Sequence, residues 1–169
     1  QCHSNQLTNL DVSNNTALEE LSCSHNQLTS LDISNNTRLT YLNFGVNQLT
    51  SLDVSKNTLL TNLVCYLNQL TNLDVSNNTA LRELNCNTNQ LTSLDFTNNT
   101  ALTWLRCNRN QLTTLDVSNN TTLVTLSLSS IPTLYEVCVW EMPFPPAGVG
   151  VDTTGSPNVY FTIECTGGK

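Results

Sequence analysis

The chain is poor in charge, in basic residues and in the residues that usually bend a backbone. Of its 169 residues 11% are charged, with six Lys and Arg against thirteen Asp and Glu and a net charge of −7. A phosphate backbone needs a basic patch, so nucleic acid is not the expected partner. No apolar run approaches the ~20 residues that span a bilayer, and no secretory leader is recognisable, so no membrane insertion is expected. Gly45 is the only glycine before Gly148, and no proline precedes Pro132. That scarcity excludes phosphate-cradling glycine loops and leaves the bends to other residues. There are two histidines and no Cys-x-x-Cys. His3 and His25 do not share a position in the pattern described next, so no metal site is nominated. No Ser/His/Asp order appears, and neither an enzyme nor a cofactor is expected.

What the chain has in abundance is Leu, Asn, Ser and Thr in a fixed order. Asn-Gln-Leu-Thr recurs at Asn5, Asn26, Asn47, Asn68, Asn89 and Asn110, a 21-residue period without insertion or deletion to about Leu128. Such a period means a solenoid. Each unit has two similar halves, Leu18-x-x-Leu21-x-Cys23-x-x-Asn26 and Leu28-x-x-Leu31-x-Ile33-x-x-Asn36. In both, Leu-x-apolar is a period-2 alternation that turns two side chains inward from a short extended segment. The Asn three residues later is expected to make the corner, because its amide bonds turn backbone and it tolerates left-handed geometry. Asn26, Asn47 and Asn68 would stack at one corner, and Asn15, Asn36 and Asn57 at the other. No single coil buries enough to stand alone, so the stack is the folding unit. The parallel strands are expected to centre on Leu21–Cys23, Leu42–Phe44, Leu63–Cys65, Leu84–Cys86 and Leu105–Cys107.

Leu18, Leu21, Cys23, Asn26 and Leu28 fill the pattern Leu-x-x-Leu-x-Cys-x-x-Asn-x-Leu, as do the units at Leu39, Leu60, Leu81 and Leu102. Over roughly residues 1–128 the chain therefore resembles leucine-rich-repeat proteins, and its short units are similar to those of bacterial internalins and secreted or surface leucine-rich proteins. The resemblance implies a secreted or cell-surface binding module. The fold expected is a β-rich solenoid, a right-handed leucine-rich-repeat coil of about seven turns with a parallel sheet on one face. The second half-unit departs from the many family members that place a helix there; it reads as strand-like or irregular. The first unit is truncated, since Gln1-Cys-His-Ser-Asn5 opens in mid-repeat, and a mature fragment or trimmed chain lacking its N-terminal cap is the reading. That open end is a possible surface for self-association. Residues 129–169 form an irregular C-terminal capping segment.

The seven cysteines fall into two sets. Cys2, Cys23, Cys65, Cys86 and Cys107 share one inward position, with Phe44 in the remaining slot. Buried free thiols acting as small hydrophobes is the leading reading; disulfides between coils and metal binding are the alternatives. Cys138 and Cys165 lie outside the repeat and are expected to form a cap disulfide, which suits an oxidising compartment. In the cap, Ile131 replaces a corner Asn, the prolines of Glu141–Pro146 bar helix and central strand, and Asp152-Thr-Thr-Gly-Ser-Pro reads as a turn. Val159–Cys165 alternates and should be a last strand, with Trp140, Phe144 and Phe161 covering the open end. A binding loop built on the prolines is the functional alternative for this segment.

Two ladders point outward from the second half-units. Asp11, Asp32, Asp53, Asp74, Asp95 and Asp116 suit local bonding to the following Ser turn, with calcium bridging or catalysis as alternatives. Thr8, Thr29, Thr50, Thr71, Thr92 and Thr113 suit strand propensity or, as a regular array, ice. The second half-unit is nearly identical six times, whereas the first varies outward. Its columns read Glu20, Tyr41, Asn62, Glu83, Trp104, Thr125; then Ser22, Asn43, Val64, Asn85, Arg106, Ser127; then Ser24, Gly45, Tyr66, Asn87, Asn108, Ser129; then His25, Val46, Leu67, Thr88, Arg109. Drift would affect both faces. The expected function is therefore non-catalytic recognition of a protein or glycan partner, with Tyr41, Val64, Tyr66, Trp104, Arg106 and Arg109 as candidate ligand-binding residues. The alternative is an ice-binding or self-assembling structural solenoid using the Thr and Asn ladders.

Overall fold

The computed structural model describes residues 1–165. One strand forms in each first half-unit: β1 (Glu20–Ser22), β2 (Tyr41–Asn43), β3 (Asn62–Val64), β4 (Glu83–Asn85), β5 (Trp104–Arg106) and β7 (Thr125–Ser127). They pair in parallel with zero shift, Leu21 opposite Leu42, Leu42 opposite Leu63 and so on to Leu126. The constant period fixes this register, since a slip of one residue would turn every leucine outward. The strands end one residue before Cys23, Phe44, Cys65, Cys86 and Cys107, although backbone bonds continue past them, as from the Cys23 amide to the Asn43 carbonyl at 2.8 Å. A short strand from the cap, β9 (Gly150–Asp152), adds the seventh position by pairing with β7. No helix occurs among the described residues.

The interior is one continuous apolar column. Leu42, Leu63, Leu84, Leu105 and Leu126 are wholly buried, as are Leu49, Leu70, Leu91 and Leu112 from the second half-units. Cys23, Cys65, Cys86 and Cys107 are buried free thiols, and Phe44 fills the odd slot. Burial pushes the Cys86 thiol up to about 12 and the Cys65 and Cys107 thiols well above their ordinary value, so these sulfurs are held protonated and unreactive.

Both corner ladders form, and they differ. Asn47 Nδ2 donates to the Cys23 and Phe44 carbonyls at 3.1 and 2.9 Å, while its Oδ1 accepts from the Leu28 amide at 3.0 Å. Asn57, at the other corner, donates to the Ile33 and Asn36 carbonyls at 3.1 and 2.9 Å, and its buried Oδ1 has no hydrogen-bond partner among the described residues. The expectation of left-handed Asn is corrected. The left-handed step falls on the residue before the first corner Asn: Ser4, His25, Val46, Leu67, Thr88, Arg109 and Ser130 all have φ between 52° and 58°. The reason is that the Asn side chain must point inward to reach four backbone groups, so its neighbour takes the turn. Val46 and Thr88 are β-branched and strained there. Val46→Asn is expected to raise the unfolding free energy by about 1 kcal/mol, since Asn tolerates this conformation. Urea titration measures it, and a decrease would place the strain elsewhere.

The second half-units are extended but mostly unpaired. Only β6 (Thr114–Asp116) is a strand, and it pairs with β8 (Glu136–Cys138), which pairs with β10 (Tyr160–Thr162). Of the two forms expected for this side, most of it takes the irregular one. The cap closes the stack through this second sheet and through β9. Trp140 packs edge-on against Phe144 at 5.1 Å, and Phe144 lies 4.9 Å from Phe161. Cys138 and Cys165 are disulfide-bonded. Where the corner Asn is lost, the Ser156 hydroxyl stands in, accepting from the Ile131 amide at 2.9 Å and donating to the Leu128 carbonyl at 2.6 Å.

Candidate binding face

The outward positions of the seven-stranded sheet form two register rows. One runs Glu20, Tyr41, Asn62, Glu83, Trp104, Thr125, Gly150, and the other Ser22, Asn43, Val64, Asn85, Arg106, Ser127, Asp152. Between them the inward leucines make the floor rigid. Tyr41, Val64, Trp104 and Arg106 therefore share one surface by strand geometry alone. Arg106 folds back over Trp104, its guanidinium carbon 3.9 Å from the ring centroid. This stack holds two large side chains in one orientation. Tyr41 Oη accepts from Asn43 Nδ2 at 3.4 Å, and Asn43 Oδ1 accepts from the Gly45 amide at 3.1 Å.

Tyr66 lies past the end of β3, and its ring occupies the space above Gly45. A Cβ at Gly45 would sit 2.5 Å from Tyr66 Cε1, so only glycine leaves room for the ring. Arg109 stands apart from the rows, exposed at the left-handed corner step on the rim. Leu67, at the same step two coils earlier, is exposed beside Tyr66. The candidates thus form two clusters: Tyr41, Val64 and Tyr66 over the second and third coils, and Trp104 with Arg106 over the fifth. Tyr41 and Trp104 are three strands apart, roughly 14 Å.

Sequence reasoning missed two contributors. Gly150 and Asp152 enter the face through β9, extending both rows beyond Thr125 and Ser127. Gly150 adds no side chain, which opens a shallow depression lined by Arg106, Ser127, Val151 and Asp152. The backbone amide and hydroxyl of Thr154 hold the Asp152 carboxyl below its usual range, so it is ionised at neutral pH. The only signal in the sequence was the alternation Val149-Gly-Val151-Asp. Gly45 was visible as the lone glycine of the repeats, but not as the seat of Tyr66.

The opposite face is regular and chemically quiet. Each ladder Asp accepts from the amide two residues on, as Asp32 from Ser34 at 2.9 Å and Asp74 from Ser76 at 2.9 Å. Those amides and the serine hydroxyls hold the Asp32 and Asp74 carboxyls below their usual range. The local turn bonding expected of this ladder is present at every aspartate. Among the described residues no set of three metal-ligating side chains gathers along it except where Asp116 meets the cap. Thr8, Thr29, Thr50, Thr71, Thr92 and Thr113 are exposed, yet the strands that would hold them in a flat array are absent over most of this face. Shallow grooves of about 350 and 290 Å³ lie between coils here, lined by Asp74 with Asp95 and by Asp53 with Asp74. No helix among the described residues is long and apolar enough to cross a membrane.

The family described as "Leucine Rich repeats (2 copies)" matches residues 16–57. No curated protein matches the chain. Among solved structures, the functional domain of InlJ from Listeria monocytogenes, which includes a cysteine ladder, is 31% identical with a TM-score of 0.50. That match covers 94% of this chain and 48% of that one. The leucine-rich-repeat protein LIC12759 of Leptospira interrogans is 25% identical with a TM-score of 0.76, over 89% of this chain and 41% of that one. The internalin InlF of Listeria monocytogenes is 27% identical with a TM-score of 0.67, over 79% of this chain and 44% of that one. The chain thus spans less than half the length of these three structures. Residues 16–57 carry leucine-rich repeats, and the 21-residue period and parallel solenoid extend the same fold along the chain.

Proposed function

We propose that this chain is a non-catalytic binding module, secreted or displayed on a bacterial surface, that recognises a protein or glycan through the varied face of its seven-stranded sheet. The observation that carries the reading is the confinement of variation to one face. Each outward column on that face holds four or more residue types, while the opposite half-unit repeats nearly unchanged. Tyr, Trp and Arg are the residues that concentrate binding energy, and here Trp104 and Arg106 are already stacked. Such preorganisation lowers the entropy lost on binding. The acidic net charge disfavours nucleic acid, and no cofactor enters the reading. Similarity to internalins supports the surface location.

A screen of the chain against glycan and host-protein arrays tests the reading, followed by two variants on any partner found. Trp104→Ala is expected to weaken binding by about 2 kcal/mol, as hot-spot truncations do. Thr71→Ala, on the opposite face, is expected to leave affinity unchanged. The reverse outcome, with both variants folded, would move the site to the Thr-bearing face.

A further inference from the structure

The outward row of aspartates ends in a cysteine. Asp95 bridges to Asp116, Asp116 lies opposite Cys138, and Cys138 lies opposite Thr162. Residues in one register row point to the same side of a sheet at about one strand spacing. The Asp116 carboxylate is therefore set beside the Cys138 sulfur, and the chain brings Cys165 back to the same place three residues after Thr162. The two sulfurs and an Asp116 carboxylate oxygen lie within 4.8 Å of one another. Glu136, two residues before Cys138 and so on the same side of β8, borders this group, with Oε1 3.8 Å from Cys138 Sγ. Its other oxygen accepts from Tyr160 Oη at 2.8 Å, which orients the carboxylate.

We propose that the cap is a redox-gated metal site: once the Cys138–Cys165 bridge is reduced, both thiolates and the Asp116 carboxylate bind one Zn²⁺, with water in the fourth position. With the disulfide formed, the sulfurs are bonded to each other and offer no thiolate. A dithiol reductant transfers two electrons and two protons, leaving two cysteine thiols and its own disulfide. Zinc uptake then releases the two thiol protons as the Zn–S bonds form. Paired thiolates favour Zn²⁺ over Ca²⁺ or Mg²⁺, which take oxygen ligands. Zn–S bonds near 2.3 Å at a tetrahedral angle hold two sulfurs about 4 Å apart, the separation two thiols reach once the bond between them is reduced. Asp116 uses one oxygen for the Ser118 amide at 2.8 Å and has a second for the metal. The site replaces the covalent link between β8 and the end of the chain with a coordinate one through the same residues.

The test uses the whole chain, oxidised or reduced with dithiothreitol and freed of it without oxygen, and Zn²⁺ in competition with a chromophoric chelator. The reduced chain is expected to bind one zinc, about a hundredfold more tightly than the oxidised chain. Zinc is expected to raise the melting temperature of the reduced chain only. Cys165→Ser should abolish tight uptake, and Asp116→Asn should weaken it by about tenfold or more. Equal affinity in the two redox states would overturn the proposal. So would a reduced chain that takes no zinc, or uptake that survives both substitutions, which would assign the metal to the buried thiols of the coils.

Discussion

The Asn68→Ala chain is expected to lose about 4 kcal/mol of unfolding free energy. Asn68 sits in the middle of the stack and ties its own coil to the preceding one at two points. Its Nδ2 donates to the Cys65 and Phe44 carbonyls, both at 3.1 Å, and more weakly to the Tyr66 carbonyl at 3.4 Å. Its Oδ1 accepts from the Leu49 amide at 3.0 Å. Alanine leaves an amide and at least two carbonyls without partners in a place that water does not reach, and each such group costs about 1–3 kcal/mol. Asn57→Ala is the control from the other corner. It loses two bonds but also removes a buried oxygen that had none, so about 2 kcal/mol is expected. Urea titration of both variants decides the matter. If Asn57→Ala costs as much as Asn68→Ala, the count of orphaned backbone groups does not set corner stability.

Removing the cap bridge with Cys138→Ser and Cys165→Ser together is expected to cost about 3–4 kcal/mol. The bridged residues are 27 apart, and closing a loop of that length restricts the unfolded chain by about this amount. The loop contains β9 and β10, which cover the last coil on both of its faces. A solenoid melts from an exposed end, so the loss should first free the cap and then fray the coil at Leu126 and Leu128. Limited proteolysis is expected to cut between residues 141 and 149 in the double variant before any cut within the repeats. A melting temperature unchanged from the parent would show that Trp140, Phe144 and Phe161 hold the cap without the bridge.

The fold was legible because one short pattern repeats in register, and each repeat states the same inward residues. Leu21, Cys23, Leu28 and Ile33 are all buried as their alternation requires. The cap disulfide was legible because only Cys138 and Cys165 stand outside the repeat. The second half-unit was less so. Leu-Thr-x-Leu-Asp-Val alternates as a strand does, but alternation reports only which side chains face inward, not whether the next coil's amides come within reach. The Asp side chain bonds the amide two residues on in every coil, Asp116 included, so the strand at Thr114–Asp116 is set by β8 lying alongside. The left-handed step was assigned to Asn because Asn tolerates it best. Packing overrode that preference, and Val46 and Leu67 carry the step instead. On the candidate face, the varied columns pointed to Tyr41, Tyr66 and Trp104, but Gly150 and Asp152 joined through a three-residue strand between proline- and glycine-rich segments.

The uneven hydrogen bonding of the two faces makes this molecule a one-way spring. Bending that spreads the sheet must stretch backbone bonds such as that from the Cys65 amide to the Asn85 carbonyl at 2.8 Å. Bending that spreads the opposite side meets few such bonds, because its segments are joined mainly at the corners; the Thr71 amide and Thr50 carbonyl are 3.4 Å apart. Thermal motion and tension are therefore expected to curl the stack with the sheet on the inside of the curve. Curling draws the outward tips of Tyr41 and Trp104 together, so a bulky object on that side props the spring open and a slender one lets it tighten.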